Sequence, residues 1–546
     1  MELSNEPAQP PVPVSWQEIY SSPIDALRNS LLDLSLHATP CRYRFFDCKA
    51  FVEQNKLIIY ESGDLSDAPY TTISYTWRGN DTNLDDPSSP LYWKDILGTF
   101  RVKGGEDGDP ISLDVLFHVC ILSLRHATSR FVWLDRLCIM QTSKPDKHWQ
   151  ISKMNSIYQS CEMCCILPGG IRRLVRLEEE TSWIHRGWTL QEAIVPKYTT
   201  VLYAWNHAMD GDVSVGGGFE LTPIIAGQSA HTELFNLLQS SLLSSSLIPL
   251  IIDSVQIPLN FGIFGAGREF AATFPATALM EALASRNDDS AAVNRRYQHI
   301  WRSALLRTSS RPVDMVFSIM GLFGVSLDPG AFHSDDRLGA TIALARGILQ
   351  KGEEASWIGA AYAMDPCPRL CTFPEFPETS VNGKAYLHAS DGSRKGVVEV
   401  MSDRIWSDRY FEECPGGSMD DERYLFMRAR ATRVSHTSTP TSPPTNTSDS
   451  EEDELEIQSQ NRNGDYLEVE TKTDIVYEEI TLPAEDGSVW RIHDESATSN
   501  SAKEPTTYLV YFGQEVQTMS GAFPRSEDPQ VVESVDCSRT CARQVS

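Results

Sequence analysis

Residues 70–77 read Tyr-Thr-Thr-Ile-Ser-Tyr-Thr-Trp, and residues 131–139 read Phe-Val-Trp-Leu-Asp-Arg-Leu-Cys-Ile. In the first stretch Thr71, Ile73, Tyr75 and Trp77 fall on one side of an extended chain, and Thr72, Ser74 and Thr76 on the other. β-branched and aromatic residues in strict alternation predict a strand, which Gly79-Asn80-Asp81 ends. The second stretch is almost continuously apolar, the pattern of a strand buried on both faces in a parallel sheet. Between them, Leu113, Leu116, Cys120, Leu122 and Leu124 follow the entry turn Asp109-Pro110 and predict a helix over 113–126. A polar loop at 141–147 opens a second helix, with Gln150, Met154 and Tyr158 at i, i+4 and i+8. Residues 164–167 form another short apolar run, closed by Pro168-Gly169-Gly170. Strand, helix, strand, helix, strand within ~100 residues is the alternation of an α/β sheet.

Working outward, residues 1–15 read as a flexible arm. A short helical pattern covers 24–36, and strands are expected at 43–47 and 56–60. Downstream, 210–365 reads as mostly helical, with hydrophobic spacing at 232–243, 277–283, 293–306 and 338–349. After Pro366 the composition changes: β-type runs at 396–400, 424–427, 466–469 and 508–512 fall in two stretches, 385–433 and 465–515. Residues 435–465 are Ser/Thr/Pro followed by acid. They carry too little apolar surface to offset the entropy of ordering, so they read as a disordered linker. Residues 516–546 read as a flexible tail.

The chain has 546 residues, enough for two or three domains. Apolar residues make up 41%, and 47 basic residues against 74 acidic ones leave a net charge of −27. That field repels nucleic-acid phosphates and anionic membranes, so general nucleic-acid binding is not expected. Much of the imbalance is local: residues 451–486 hold thirteen acidic and two basic residues, read as a solvated, disordered stretch. The twelve cysteines are irregularly spaced and give no paired zinc spacing; Cys161, Cys164 and Cys165 read as buried thiols. The N-terminus has no secretory pattern. The most apolar segment, 242–262, is broken by serines, Asp253 and two prolines and fails as a membrane span, which needs ~20 mostly apolar residues. A soluble, cytoplasmic protein is the expectation. Neither a Gly-x-Ser-x-Gly elbow nor a Gly-x4-Gly-Lys-Ser/Thr loop is present. The Gly-rich run 261–267 is discounted as a nucleotide loop because a helical segment, not a strand, is expected before it. His185 reads as structural rather than as a base.

Three segments carry polar and aromatic residues in an order that has a known counterpart. They are Tyr70–Trp77 with Gly79, then Trp133-Leu-Asp135-Arg136-Leu-Cys-Ile139 with Gln141, Asp146, Gln150, Met154 and Tyr158, then Arg186-Gly-Trp188-Thr-Leu-Gln-Glu192. Together they resemble the fungal heterokaryon-incompatibility (HET) domain, whose motifs appear in this order. Residues 311–322, Arg-Pro-Val-Asp-Met-Val-Phe-Ser-Ile-Met-Gly-Leu, are similar to a segment that often follows it. The resemblance is close over 70–192, places the domain at about 40–200 and extends loosely to 325. Three positions depart from the pattern: Met140 where Asn is usual, Arg78 between Trp77 and Gly79, and Asp146 where Glu is usual.

The resemblance implies an α/β fold with a flavodoxin/TIR-like, mostly parallel sheet, followed by the helical and β-containing regions. It also implies self/non-self recognition, with self-association of the α/β domain, alone or with other signalling-domain proteins, triggering cell death. Asp135, inside an apolar strand, requires a partner because a buried carboxylate is costly alone. Arg136 is excluded as that partner by strand alternation, and Arg186 is the candidate, either at a ligand site or as a core ion pair. Ligands in open parallel sheets bind outside the carboxyl ends of the strands, where Trp77 and Asp135 are expected. If 186–192 opens a helix, Trp188 and Glu192 share a face. By a looser similarity to TIR domains that cleave NAD+, Glu192 would be a catalytic carboxylate and Trp77, Asp135, Arg186 and Trp188 binding residues. The alternative for Glu192 is a helix-surface or packing-pair residue. No cofactor or metal is expected, and NAD+ enters only as a substrate of that alternative.

Overall fold

The computed structural model describes residues 10–80, 96–207, 213–215, 219–243, 248–252, 255–265, 270–287 and 293–357, with short stretches between 376 and 511. One ten-stranded sheet organises it. In chain order its strands are β1 (Gln17–Pro23), β2 (Tyr43–Asp47), β3 (Lys56–Ser62), β4 (Tyr70–Tyr75), β5 (Phe131–Trp133), β6 (Met163–Leu167), β7 (Thr199–Ala204), β8 (Val213–Val215), β9 (Phe219–Ile225) and β10 (Ser229–Glu233). Their spatial order is β1-β3-β2-β5-β4-β6-β7-β10-β9-β8. The central four, β5-β4-β6-β7, are parallel. Antiparallel strands extend them on both sides. The sheet is therefore mixed rather than mostly parallel. Within the parallel set the first strand in sequence is flanked by the second and third, which places a topological switch point between β4 and β6.

All six residues of β4 are buried, as a strand covered on both faces must be. Against one face pack α1 (Cys48–Gln54) and α2 (Leu113–His126), with Ile73 and Tyr75 in that core. Against the other lie α3 (Lys144–Ser160) and α4 (Thr189–Ile194), with Tyr70 in the core. The same core takes in α5 (Leu234–Leu243), α6 (Phe270–Ala284), α7 (Val293–Leu305), α8 (Asp314–Met320) and α9 (Arg337–Gln350). Helix α2 begins at Ser112, whose hydroxyl accepts from Val115 N. Helix α3 begins at Ser143, with Pro145 in its first turn.

A buried charge network ties β2 and β3 to α3. Arg44, with no exposed surface, donates to Glu61 (3.0 Å) and to both oxygens of Asp146 (3.0 and 3.1 Å). Asp146 also accepts from Cys41 N (2.7 Å) and Met140 N (2.9 Å). Two of the sequence departures thus meet: the shorter Asp at 146 closes on the backbone of Met140. Trp16 anchors the start of the chain, stacking on Phe45 with centroids 4.9 Å apart and donating to Asp67 (3.1 Å).

Several expectations need correcting. The apolar run 131–139 is not one strand. It leaves the sheet after Trp133, and Asp135–Cys138 forms a helical turn closed by Cys138 N on Leu134 O (2.7 Å). The run 24–36 is broken at Asn29, whose φ of +58° no helix tolerates. It becomes a helical turn at Ile24–Leu27, a two-residue strand at Leu31–Leu32 and a 3-10 turn at Leu34–Leu36. The region 210–365 is not mostly helical at its start. Residues 213–233 supply β8, β9 and β10, and Ile248–Ile252 pairs with Val255–Leu259 as a hairpin with Pro249 opposite Pro258. The Gly-rich run therefore follows a strand, but Phe261, Ile263 and Phe264 are core residues. The β-run expected at 396–400 is not a strand: a strand at Arg394–Gly396 ends where it should begin, and Val397–Ser402 is helical. Strands at Leu425–Met427 and Thr507–Tyr511 lie where β-runs are expected. Of the expected linker 435–465, Ser435 and His436 end a strand (Arg430–His436); its remainder, the run 466–469, the tail 516–546 and residues 1–9 lie outside the described residues. Among the described residues no helix is long and apolar enough to cross a membrane.

Candidate functional site

The polar residues of the three motifs converge on the carboxyl end of β4, and they approach it from both faces. On the face of Ile73 and Tyr75, Asp135 accepts from the Tyr75 hydroxyl (2.5 Å), Trp77 Nε1 (2.6 Å) and Arg136 N (2.5 Å). Because Asp135 opens a helical turn instead of continuing a strand, its neighbour Arg136 is not forced to the opposite face. The Arg136 guanidinium lies over the Trp77 and Tyr75 rings, 5.7 and 5.9 Å from their centroids, and donates to Asp109 O (2.6 Å). Asp109 in turn accepts from Gly79 N (2.7 Å). The expected Asp135–Arg186 ion pair does not form; Tyr75 and Trp77 take its place. Burial, then the Asp135 carboxylate, pushes the Tyr75 hydroxyl well above its ordinary range.

On the other face, Ser74 donates to Glu192 Oε2 (2.5 Å) and accepts from Trp183 Nε1 (2.9 Å). Glu192 is 7% exposed, and burial pushes its carboxyl up to about 8 against the hydrogen bond from Ser74. It is therefore a protonated acid near neutrality. One turn earlier Trp188, half-buried, precedes α4; its carbonyl accepts from Glu192 N (3.4 Å), and its indole donates to Asp314 (3.4 Å) while Glu192 bonds Ser74. Below α4 the buried Arg307 donates to Thr189 Oγ1 (2.6 Å) and Arg186 O (3.0 Å). Burial lowers its guanidinium to about 9. His185 is also neutral, lowered to about 4 by burial.

Trp77 and Asp135 thus meet in one contact set, while on the other face Glu192 bonds Ser74 and Trp188 bonds Asp314, and no hydrogen bond or ion pair joins Glu192, Arg186 and Trp188 to one another through their side chains. The two faces are separated by the thickness of β4 but lie close enough for the Asp135 charge to raise Glu192. Sequence reasoning missed Ser74, Arg136, Trp183, Arg307 and Asp314. Asp314 sits in the segment 311–322 noted for its similarity, which was its signal; Arg307 left none. The switch point itself is filled. A Cβ on Gly79 would lie 2.1 Å from Gly169 O, and one on Gly170 would lie 2.9 Å from Gly79 Cα, so only glycines allow the two loops to meet there. A cavity of about 350 Å³ opens farther along, past β6 and β7, beside Trp205 and His207; none of the five expected site residues lines it. Cys161, Cys164 and Cys165 are buried thiols with pKa values raised by burial. No group of three metal-ligating side chains occurs among the described residues.

The family model described as heterokaryon incompatibility protein (HET) matches residues 70–171. Comparison with curated proteins and with solved structures gave no match. The matched span holds the β4, β5 and β6 strands and the Tyr75–Trp77–Asp135–Arg136 contacts, so the similarity to the HET domain lies in the parallel core of the sheet and one face of its carboxyl end.

Proposed function

We propose that the protein is a self/non-self recognition effector of the heterokaryon-incompatibility type. Its α/β domain self-associates, or joins other signalling-domain proteins, and the assembly triggers cell death in the cytoplasm. The observation that carries this reading is that the HET motifs are spent on one another. Asp135 is held by three donors and Glu192 is buried against Ser74, so the residues build a rigid scaffold rather than an open reaction centre. The test is expression of the full chain under an inducible promoter, scored for viability, with the purified chain followed by light scattering. Death on induction and a mass that rises with concentration are expected. A chain that stays monomeric at every concentration and still kills would refute the self-association step.

One observation favours a second reading, a TIR-like NAD+ glycohydrolase with Glu192 as the catalytic carboxylate. Glu192 keeps its proton near neutrality at the carboxyl end of a parallel strand, with Trp188 and Arg186 beside it. Such tuned carboxyls mark reaction centres as well as cores. Nicotinamide release from NAD+ by the full chain, abolished in Glu192→Gln, would establish it; toxicity retained in that variant would remove it.

A further inference from the structure

We propose that the cavity beside Trp205 is a binding site for a free α-amino acid with a large apolar side chain, its carboxylate taken by Arg176 and its ammonium by Glu178. The inference goes beyond the signalling reading and does not rest on it. The cavity holds about 350 Å³ at the carboxyl end of β7, whose last residue, Ala204, lines it. Ligands of open sheets bind at that end of a parallel strand, and the volume falls within the ~300–1,000 Å³ of small-molecule sites. The segments that wall it are tied in place. Ala204 N bonds Val175 O (2.8 Å), Trp205 N bonds Gln228 O (3.0 Å) and Gly262 N bonds Leu177 O (2.8 Å).

The lining divides by chemistry. Leu177, Trp205 and Leu259, all buried, form an apolar wall with Ala204. Arg176 and Glu178 line the cavity too, with side chains 32% and 50% exposed and their charged groups 3.9 Å apart. At that distance the two attract but share no hydrogen bond. The neighbouring pair in the same turn is different: Arg173 and Glu179 close on each other through two bonds (2.6 and 3.0 Å), with side chains only 4% and 9% exposed. Glu179 also accepts from Arg176 N (2.8 Å) and donates its own N–H to Arg176 O (3.2 Å). One ion pair thus locks the turn, and the turn presents the other, loosely paired, beside an apolar cavity. A ligand with a single charge would gain from one of Arg176 and Glu178 and be repelled by the other. A zwitterion gains from both, its carboxylate accepting from the guanidinium and its ammonium donating to Glu178. An α-amino acid carries both charges on adjacent carbons and has a third substituent free to enter the apolar wall. The amides of Asn206 and Asn260, in the same lining, add neutral donors and acceptors. The ligand has no net charge, so the chain's −27 does not repel it as it would an anion.

The test is isothermal titration of the full chain at about pH 6.5, where the α-ammonium is charged. The probes are L-phenylalanine, L-leucine and glycine, with N-acetyl-L-phenylalanine and L-phenylalanine amide, each of which lacks one charge. One saturable site for L-phenylalanine or L-leucine is expected, weakened about tenfold or more by either cap, since each removes a charge-assisted bond. Glycine, without the side chain, is expected to bind about tenfold or more weakly. Arg176→Gln is expected to bind L-phenylalanine and its amide alike, and Glu178→Gln to bind L-phenylalanine and its N-acetyl derivative alike. Lys56→Gln, on the exposed start of β3, is expected to change nothing. Absence of saturable binding of both apolar amino acids, equal binding of capped and free L-phenylalanine, glycine bound as tightly, or unweakened binding in both Arg176→Gln and Glu178→Gln overturns the proposal. The ligand series is read on the unaltered chain, so it decides even where a variant does not fold.

Discussion

Glu192→Gln tests the buried acid directly through the pH dependence of folding. The folded carboxyl has a pKa of about 8 against a reference of 4.5, because burial penalises its charged form. Between these values the folded chain keeps a proton that the unfolded chain has lost. Folding therefore binds a proton, and the stability contributed by this group falls as pH rises. Below about pH 4.5 both states are protonated and nothing is lost. The loss then grows by ~1.4 kcal/mol per pH unit and levels off above about pH 8. Relative to a neutral residue of the same shape, wild type is disfavoured by roughly 2 kcal/mol at pH 6 and roughly 4 kcal/mol at pH 8. Glu192→Gln keeps an acceptor for the Ser74 hydroxyl and has no titration. Any change in its hydrogen bonds adds the same offset at every pH, so the difference in slope isolates the proton. Urea unfolding of both proteins, followed by tryptophan fluorescence at several pH values between 5 and 8.5, measures it. Curves that stay parallel across this range would mean that Glu192 ionises normally in the fold, and the account of a sealed, protonated acid under β4 would fail.

Asp146→Ala strands Arg44 in the core with only Glu61 as a charged partner and orphans Cys41 N and Met140 N; a loss of ~3–5 kcal/mol in urea unfolding is expected. Gly108→Ala places a methyl 2.1 Å from Arg136 Nη1 and 3.1 Å from Trp77 O, so Arg136 must leave the Tyr75 and Trp77 rings. A destabilisation of about 1–3 kcal/mol, read as a lower Tm, is expected. Trp77→Phe removes the indole donor to one Asp135 oxygen and keeps the ring under Arg136; a cost of about 1–3 kcal/mol is expected, and an unchanged unfolding midpoint would show that Asp135 finds water instead.

The central sheet was legible because its strands obey local rules. The 70–77 alternation divides its contacts as read, Tyr75 and Trp77 to Asp135 and Ser74 to Glu192. Helix α2 spans Leu113–His126, the expected residues. The strand reading at 131–139 failed because apolar content does not distinguish a buried strand from a buried helical turn; the carboxylate of Asp135 marked the break, since no strand interior could have satisfied it. Strands β9 and β10 were missed for a related reason. In β9 a register shift between Pro223 and Ile225 breaks the alternation, and Ser229–Glu233 offers only one apolar residue, Ala230. Pairings set by residues far apart in sequence, such as Arg307 under Arg186 or Asp314 on Trp188, leave no local period to read.

These long-range contacts also set the size of the working unit. The matched span ends at 171, yet the face of β4 that carries Ser74 is covered by Trp183 and Glu192. That segment is itself pinned by residues 120 positions later: Gly187 N on Thr308 O (2.8 Å), Thr308 N on His185 O (2.7 Å) and Arg307 on Thr189. A fragment cut at residue 200 would lose most of β7 together with β10, would open the edge of β6, and would uncover Leu190, Ala193 and Ile194, all buried in the full chain. Such a fragment would associate through newly exposed apolar surface and an open sheet edge, whatever its signalling role. Association measured on it would say nothing about recognition. Association of the full chain, in which those surfaces are already covered, is the measurement that bears on function.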